Sequence, residues 1–398
     1  MRTEHPTVEL ADLTGDFTAD PHSALAALRS RGPVHHVRFP TGDEAWMVVG
    51  HDEVRAAFAD ARLRNDVRHS ADFDSDGLYS VGRNMLQVDP PDHTRLRSLV
   101  AREFTARRIR ALRPRVQETA DALLDAVAAA GRADLVAAYA FPLPLTVICE
   151  LLGVPGMDRA AFRAWSTKVV ALDEPEQSAR AAQEMTAYLL ELTEEKRRLR
   201  DADESDLLHA LVRTHDEDRL APQDLLGMAF LLLVAGHETT VNLIANAVHL
   251  LLSHPGELAA LRADPGLLEG AVEETLRHES PVPAGTYRYT AEPVTLGGVR
   301  IPAGERVVLS IAAANRDPAR FPDPDRFDIR RDPAATRAHL AFGHGVHHCL
   351  GAPLARLEAV TALRTLLDRF PRLEFDGDGA PQWRTSLMRG LRRLPVRW

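Results

Sequence analysis

The sequence predicts a mainly α-helical protein with a smaller β region, organised around one long apolar helix. Three observations carry that expectation. Alanine, leucine and arginine dominate while aromatic residues make up only 6% of the 398 residues, a composition that favours helix. Apolar residues recur at helical spacing in block after block of the chain. Runs of β-branched residues broken by turn signals gather between residues 286 and 311. With 45% hydrophobic residues the chain can bury a large core. It shows no internal repeat, low-complexity tract or linker, so a single domain over residues 1–398 is expected.

Composition also narrows the function. Cys149 and Cys349 are the only cysteines, so no disulfide framework exists and a reducing, cytoplasmic setting is expected. The start, Met1-Arg2-Thr3-Glu4-His5-Pro6, lacks the apolar core of a signal peptide. The longest apolar run, Met228 to Ala235, is short of the roughly 20 residues that cross a membrane. A net charge of −9 argues against general nucleic-acid binding.

Along the chain, Pro21 to Arg31 reads as a helix ended by Gly32-Pro33. Val34 to Phe39 and Ala45 to Gly50 form a strand pair about Thr41-Gly42-Asp43. Asp52 is expected to cap a helix to Ala59. Residues 60–91 have little periodicity and are a candidate lid or pocket wall. Asp92 is expected to cap the next helix, where His93 and Arg97 share one face at i, i+4. Eight arginines between Arg95 and Arg115 face a single acid, Glu103. In an acidic protein such a patch reads either as a solvated face or as a docking site for an acidic partner. Helical patterns follow at about 113–130, 142–152, 157–171, 177–200 and 204–214.

Pro222 opens the longest helical pattern, which reaches about Ser253 and is apolar around its whole axis. Its middle reads Ala235-Gly236-His237-Glu238-Thr239-Thr240. Gly236 and a Thr239 hydroxyl able to bond the preceding turn should interrupt this helix. An acid beside a hydroxyl in a buried groove suggests proton relay. A helix over 265–279 then carries Glu274 and Arg277 at i, i+3. The β block has a Gly297-Gly298 hairpin, and residues 315–339 are rich in proline and charge. The chain then reaches Phe342-Gly343-His344-Gly345-Val346-His347-His348-Cys349-Leu350-Gly351, a further helix to about Phe370 and a short β-like tail. Glycines at 343 and 345 permit left-handed turns. A cysteine entering a helix N-terminus is biased toward thiolate, suited to a nucleophile or a metal ligand. The plainer alternative is a buried cysteine acting as a small hydrophobe.

Taken in order, the Ala-Gly-x-Glu-Thr-Thr helix, the E-x-x-R helix, the Pro-Asp-Arg-Phe segment and the F-G-x-G-x-H-x-C loop resemble the cytochrome P450 family, of the soluble bacterial, ferredoxin-dependent type. The resemblance covers essentially the whole chain. It implies the P450 fold, with the long helix and the cysteine loop on the two sides of haem b, and a monooxygenase reaction. In that reaction R–H, O₂, two electrons and two protons give R–OH and water, and epoxidation is the related outcome. Cys349 then corresponds to the thiolate ligand of the iron, Phe342 and Gly343 to residues against the ring. His93, Arg97, Arg288 and His347 correspond to the propionate-binding set. Ala235 corresponds to a residue on the oxygen side, and Glu238 with Thr239 to the proton-delivering pair. Glu274, Arg277 and Arg326 match a buried charge triad that braces the loop. The substrate pocket is expected to include Leu231, Val234, Ala235, Ala284, Thr286 and Met388. It should take a sizeable hydrophobic molecule such as a macrolide or other polyketide, a steroid or a terpenoid. The resemblance implies a monomer that receives electrons from NAD(P)H through ferredoxin reductase and ferredoxin. Ferredoxin would dock near Arg102, Arg107, Arg108 and Arg110.

Three rival readings compete. A zinc or metal-hydrolase site at His344, His347, His348 and Cys349 suffers because neighbours on one tight loop rarely converge on a tetrahedral ion. A haem binder without turnover has no need of Glu238-Thr239. A cysteine nucleophile with His347 or His348 as base leaves the other motifs unexplained.

Overall fold

The computed structural model describes residues 6–14, 16–73, 81–154, 159–171, 175–198, 206–216, 220–384 and 386–398. The chain divides into two compact units, residues 1–75 with 273–349 and residues 76–272 with 350–398.

The first unit holds the larger sheet. Its six strands run in the order Val8–Glu9, Val34–Arg38, Glu44–Val48, Arg306–Leu309, Arg288–Thr290 and Leu63–Arg64. Trp46 pairs with Val307 and Val48 with Leu309 in a parallel register, while Arg288 opposes Val307 antiparallel. Alternation along Glu44–Val48 sends Trp46 and Val48 into one apolar cluster and Ala45 and Met47 into another. The strand therefore has both faces covered, which is why its sequence is apolar almost throughout. The hairpin Val294–Leu296/Val299–Ile301 turns at Gly297-Gly298, with φ of +53° and +82°, values that glycine adopts without strain.

The second unit is helical apart from a small antiparallel sheet of Arg132–Asp134, Pro395–Arg397 and Glu374–Phe375. Its framework includes helices Ala106–Ala128, Pro142–Leu152, Arg159–Val169, Pro175–Arg198, Leu207–Asp216, Pro222–Ser253 and Ala352–Arg369. Helix Leu268–His278 carries the chain on into the first unit. Among the described residues Pro222–Ser253 is the one helix long and apolar enough to cross a membrane, and 67% of that apolar stretch is buried inside the protein. A buried core helix meets the same length and composition criteria.

Several local expectations are corrected. Asp52 lies inside its helix, His51–Ala59, whose N-cap is Gly50. Asp92 is the first residue of Asp92–Ala101 rather than its cap, and its carboxylate accepts instead from Arg83 Nη1 at 3.0 Å. The helix expected at 113–130 starts earlier, at Ala106, with Pro114 inside it. Most of all, Pro222–Ser253 is α-helical throughout. The Thr239 hydroxyl does bond the Ala235 carbonyl, at 3.0 Å, without breaking the helix. Gly236 answers to packing: a Cβ there would lie 2.7 Å from Ile148 Cδ1. The glycine lets helix Pro142–Leu152 approach closely.

Candidate active site

The cysteine loop is built within the first unit. Gly343 and Gly345 have φ of +68° and +73°. At Gly345 a Cβ would lie 2.8 Å from the Phe58 carbonyl oxygen, so only glycine allows this approach. The Gly343 amide donates to Leu340 O at 2.8 Å, and the Cys349 amide to Phe342 O at 2.9 Å. These bonds close a tight turn that ends in an exposed cysteine. Helix Ala352–Arg369 begins three residues later, so Cys349 precedes the helix rather than capping it. Phe342 and His347 are half-buried on this loop.

A buried charge cluster stands in the same unit. Arg277 donates to both oxygens of Glu274, at 2.7 and 2.8 Å, with both side chains fully buried. Its guanidinium also donates to the carbonyls of Asn315, Pro324 and Arg326 at 3.0, 2.7 and 3.1 Å. Buried ions are tolerated when every donor and acceptor is matched in this way. The third charge is not Arg326. That side chain is 62% exposed and faces Asp328. Arg331 takes its place, 3.3 Å from Glu274 and 11% exposed. It also donates to the carbonyls of Pro322, Asp323 and Arg326. No sequence pattern separates the two arginines: Arg331 follows a turn that its own amide closes on Asp328 O at 3.1 Å.

Arg288 is buried on its strand, its guanidinium 5.7 Å from the Phe58 ring centre. It donates to Thr286 Oγ1 at 2.9 Å, and Asn65 Nδ2 donates to the same hydroxyl at 3.1 Å. Thr286, expected on the pocket wall, is therefore also an orienter of Arg288. Ala284 is half-buried beside it.

The second unit carries the other residues singled out in the sequence. His93 is buried and Arg97 half-buried on Asp92–Ala101. Burial, helped by the Arg97 charge, holds the His93 imidazole below its usual pKa, against the pull of Asp89. On the long helix Leu231, Val234, Ala235 and Thr239 are accessible to solvent, while Leu232, Leu233, His237, Glu238 and Thr240 are buried. Those accessible positions fall at i, i+3, i+4 and i+8 and line one face. The helix is thus not buried on all sides; it presents one open apolar stripe that ends at Thr239.

Glu238 is fully buried beside that stripe. Arg384, which sequence reasoning missed, places Nη2 3.3 Å from Glu238 Oε2 and 2.8 Å from Asn242 Oδ1. Asn242 in turn donates to the Glu238 carbonyl at 2.9 Å. No motif marks Arg384; it lies in the irregular tail, far from Glu238 in sequence. Met388 is half-buried in the same tail, which is tied to helix Arg159–Val169 and its exit by the Leu387 amide and the Ser386 hydroxyl, both donating to Val170 O at 3.1 and 2.9 Å.

Arg102, Arg107, Arg108 and Arg110 are all exposed. Buried Glu103 accepts from Arg108 and lies 3.4 Å from Arg102, so two of these charges are partly neutralised at home. Among the described residues, no group of three or more His, Cys, Asp or Glu side chains could hold a metal ion by itself.

A glycine-hinged turn ending in an exposed cysteine in the first unit, and an acid next to a threonine on an apolar stripe in the second, are each features of a haem-dependent oxygenase. The chain belongs to the cytochrome P450 family and is a P450 monooxygenase: residues 167–392 match the family's sequence model, described as Cytochrome P450. It is 57% identical to the cytochrome P450 monooxygenase PikC of Streptomyces venezuelae, over 99% of this chain and 94% of that protein. It is 45% identical to the 6-deoxyerythronolide B hydroxylase of Saccharopolyspora erythraea, over 97% and 98% of the two chains. Among solved structures, the tirandamycin C-bound P450 monooxygenase TamI superposes with a TM-score of 0.90 at 44% identity, covering 98% of this chain and 99% of that one. The family carries haem iron and uses dioxygen.

Proposed function

We propose that this protein hydroxylates or epoxidises a large hydrophobic molecule of the macrolide or polyketide class. Electrons come from NAD(P)H through ferredoxin reductase and a ferredoxin. The supporting observation is the open apolar stripe Leu231–Val234–Ala235, which leads to Thr239 on a mostly buried helix. The relatives point the same way. One hydroxylates 6-deoxyerythronolide B, and another, 45% identical over 93% of this chain, is the mycinamicin IV hydroxylase/epoxidase of Micromonospora griseorubida.

The residues present fit haem b. In the first unit the exposed Cys349 sulfur would hold the iron and the Arg288 cation, with His347, would suit a propionate; in the second, Arg97 and His93 would offer a further cation and imidazole. Haem, when bound, supplies oxygen binding and the oxidising power. The chain's own residues do the remainder. The Glu274–Arg277–Arg331 cluster fixes the segment leading into the cysteine turn. Thr286 orients Arg288. Glu238 and Thr239 hold and pass protons on the oxygen side, and a hydrophobic substrate seated on the apolar stripe would exclude water from them. Ala284 and Thr286 of the first unit and Met388 of the second are proposed, on the family resemblance, as further substrate-contacting residues.

Two tests address this reading. In a screen of the holoenzyme by Soret shift, macrolides and large polyketides should bind and give products carrying one oxygen atom from ¹⁸O₂. Shifts and products confined to small terpenoids or steroids would overturn the substrate class. Charge reversal at Arg107 and Arg110, which do not pair with Glu103, should slow ferredoxin-driven turnover most at low salt. Unchanged low-salt turnover would remove the docking site from this patch.

A further inference from the structure

Glu238 is surrounded asymmetrically. Its Oε2 faces Arg384 Nη2 at 3.3 Å, whereas its Oε1 has no hydrogen-bond donor among the described residues. His237 Nε2 lies 3.7 Å from Oε1 and is likewise buried without a hydrogen-bond partner among the described residues. The other ring nitrogen settles the tautomer. His237 Nδ1 lies 2.7 Å from the Leu233 carbonyl, which can only accept, so Nδ1 carries the hydrogen and Nε2 presents a lone pair. Burial keeps this imidazole neutral, outweighing the Glu238 charge that favours protonation, with Arg384 adding to the effect of burial. Among the described residues these two atoms thus face each other with no donor to either, an arrangement that is costly unless one donor serves both. Other charged groups nearby leave this unchanged. Arg384 is committed to Oε2 and Asn242, and Arg163 lies over the Phe141 ring, 4.9 Å from its centre, whose other contact is the edge of His237.

We propose that one water molecule bridges His237 Nε2 and Glu238 Oε1, donating a hydrogen to each, and that His237 is the positioning residue which through this water sets how Glu238 holds its proton. The proposal rests on the reading of Glu238 as a proton-delivering group. A water needs about two to four polar partners to be held in the interior, and these two atoms provide acceptors for both of its hydrogens. With the water in place, each Glu238 oxygen has a donor, Arg384 at one and the water at the other. His237 stays neutral and passes no proton itself; it orients the water.

The test is made on the ferric holoenzyme. His237→Phe removes the accepting nitrogen and keeps a ring against Phe141. Difference infrared spectroscopy should then show a protonated carboxyl band at neutral pH, assigned by its loss in Glu238→Gln. His237→Gln, whose amide oxygen can accept, should restore the carboxylate. If the band appears together with peroxide release, both the positioning role and the relay stand. If it appears while coupling stays normal, the positioning role stands and the relay reading of Glu238 falls. No such band in His237→Phe overturns the proposal whatever the coupling. The unaltered holoenzyme gives a measurement that needs no variant. A high-resolution crystal structure should show a water within hydrogen-bond reach of both atoms, and a gap without one contradicts the bridge.

Discussion

At the scale of single residues, the clearest lesson is which arginine serves Glu274. Arg326 and Arg331 are close in sequence and both near the motif, yet 62% of one side chain is exposed and 11% of the other. Arg331→Ala should lower stability by about 1–3 kcal/mol, because Glu274 loses a buried partner but keeps Arg277 and the Asp328 amide. Arg326→Ala should stay within about 0.5 kcal/mol of the unaltered protein. Urea unfolding of both variants checks the contrast, and equal losses would return the role to Arg326. Thr239→Ala should retain haem and substrate binding while diverting reducing equivalents to hydrogen peroxide. Normal coupling in that variant counts against proton delivery by this hydroxyl.

At the scale of elements, the long helix shows what a sequence can and cannot disclose. Its limits, Pro222 to Ser253, were legible because the apolar pattern and the two prolines frame it. Its continuity was not. Gly236 looks like a break when only its own helix is considered, and becomes a contact surface once Ile148 is placed against it. Gly236→Ala should therefore overpack that contact at about 1–3 kcal/mol, and Ile148→Ala should relieve most of it. A double-mutant cycle measures the coupling; additive effects would mean that the glycine serves backbone flexibility instead. The cysteine loop was legible because its glycines and cysteine carry their own geometry. Arg384 was not, since its role depends on a tail without periodicity that brings it to Glu238. The apolar pattern by itself does not set Leu231, Val234 and Ala235 apart from their buried neighbours; the family resemblance singles them out, and in the structure they are accessible.

At the scale of the whole molecule, stability should respond to pH through two buried groups of opposite sign. His278 is pushed down to about 2 by burial and, next, by the Arg316 charge. Its Nε2 donates to Asp325 O at 3.1 Å and its Nδ1 accepts from Arg316 at 3.0 Å, so the neutral ring is fully engaged. Below the ordinary value of 6.5 the unfolded chain binds a proton that the fold does not. Stability should fall with pH in that window, by up to ~1.4 kcal/mol per pH unit, and His278→Asn should flatten the slope. Glu358 behaves in reverse. Burial raises it well above 4.5, and neither of its oxygens has a hydrogen-bond partner among the described residues. The folded state there keeps a proton that the unfolded chain releases, so stability falls as pH rises past 4.5. Glu358→Gln should remove that loss. Urea midpoints across pH for both variants decide each sign, and a slope unaltered by its variant would contradict the assignment.

The central claim is that Cys349 binds haem iron as a thiolate in a working monooxygenase. The reduced, carbon-monoxide-bound absorption spectrum tests it most directly. The purified holoenzyme should show the red-shifted Soret band of a thiolate-ligated haem, and Cys349→Ala should lose that band even where haem is retained. A spectrum of the imidazole or neutral-thiol type in the unaltered protein, or a thiolate band surviving in Cys349→Ala, would contradict the account.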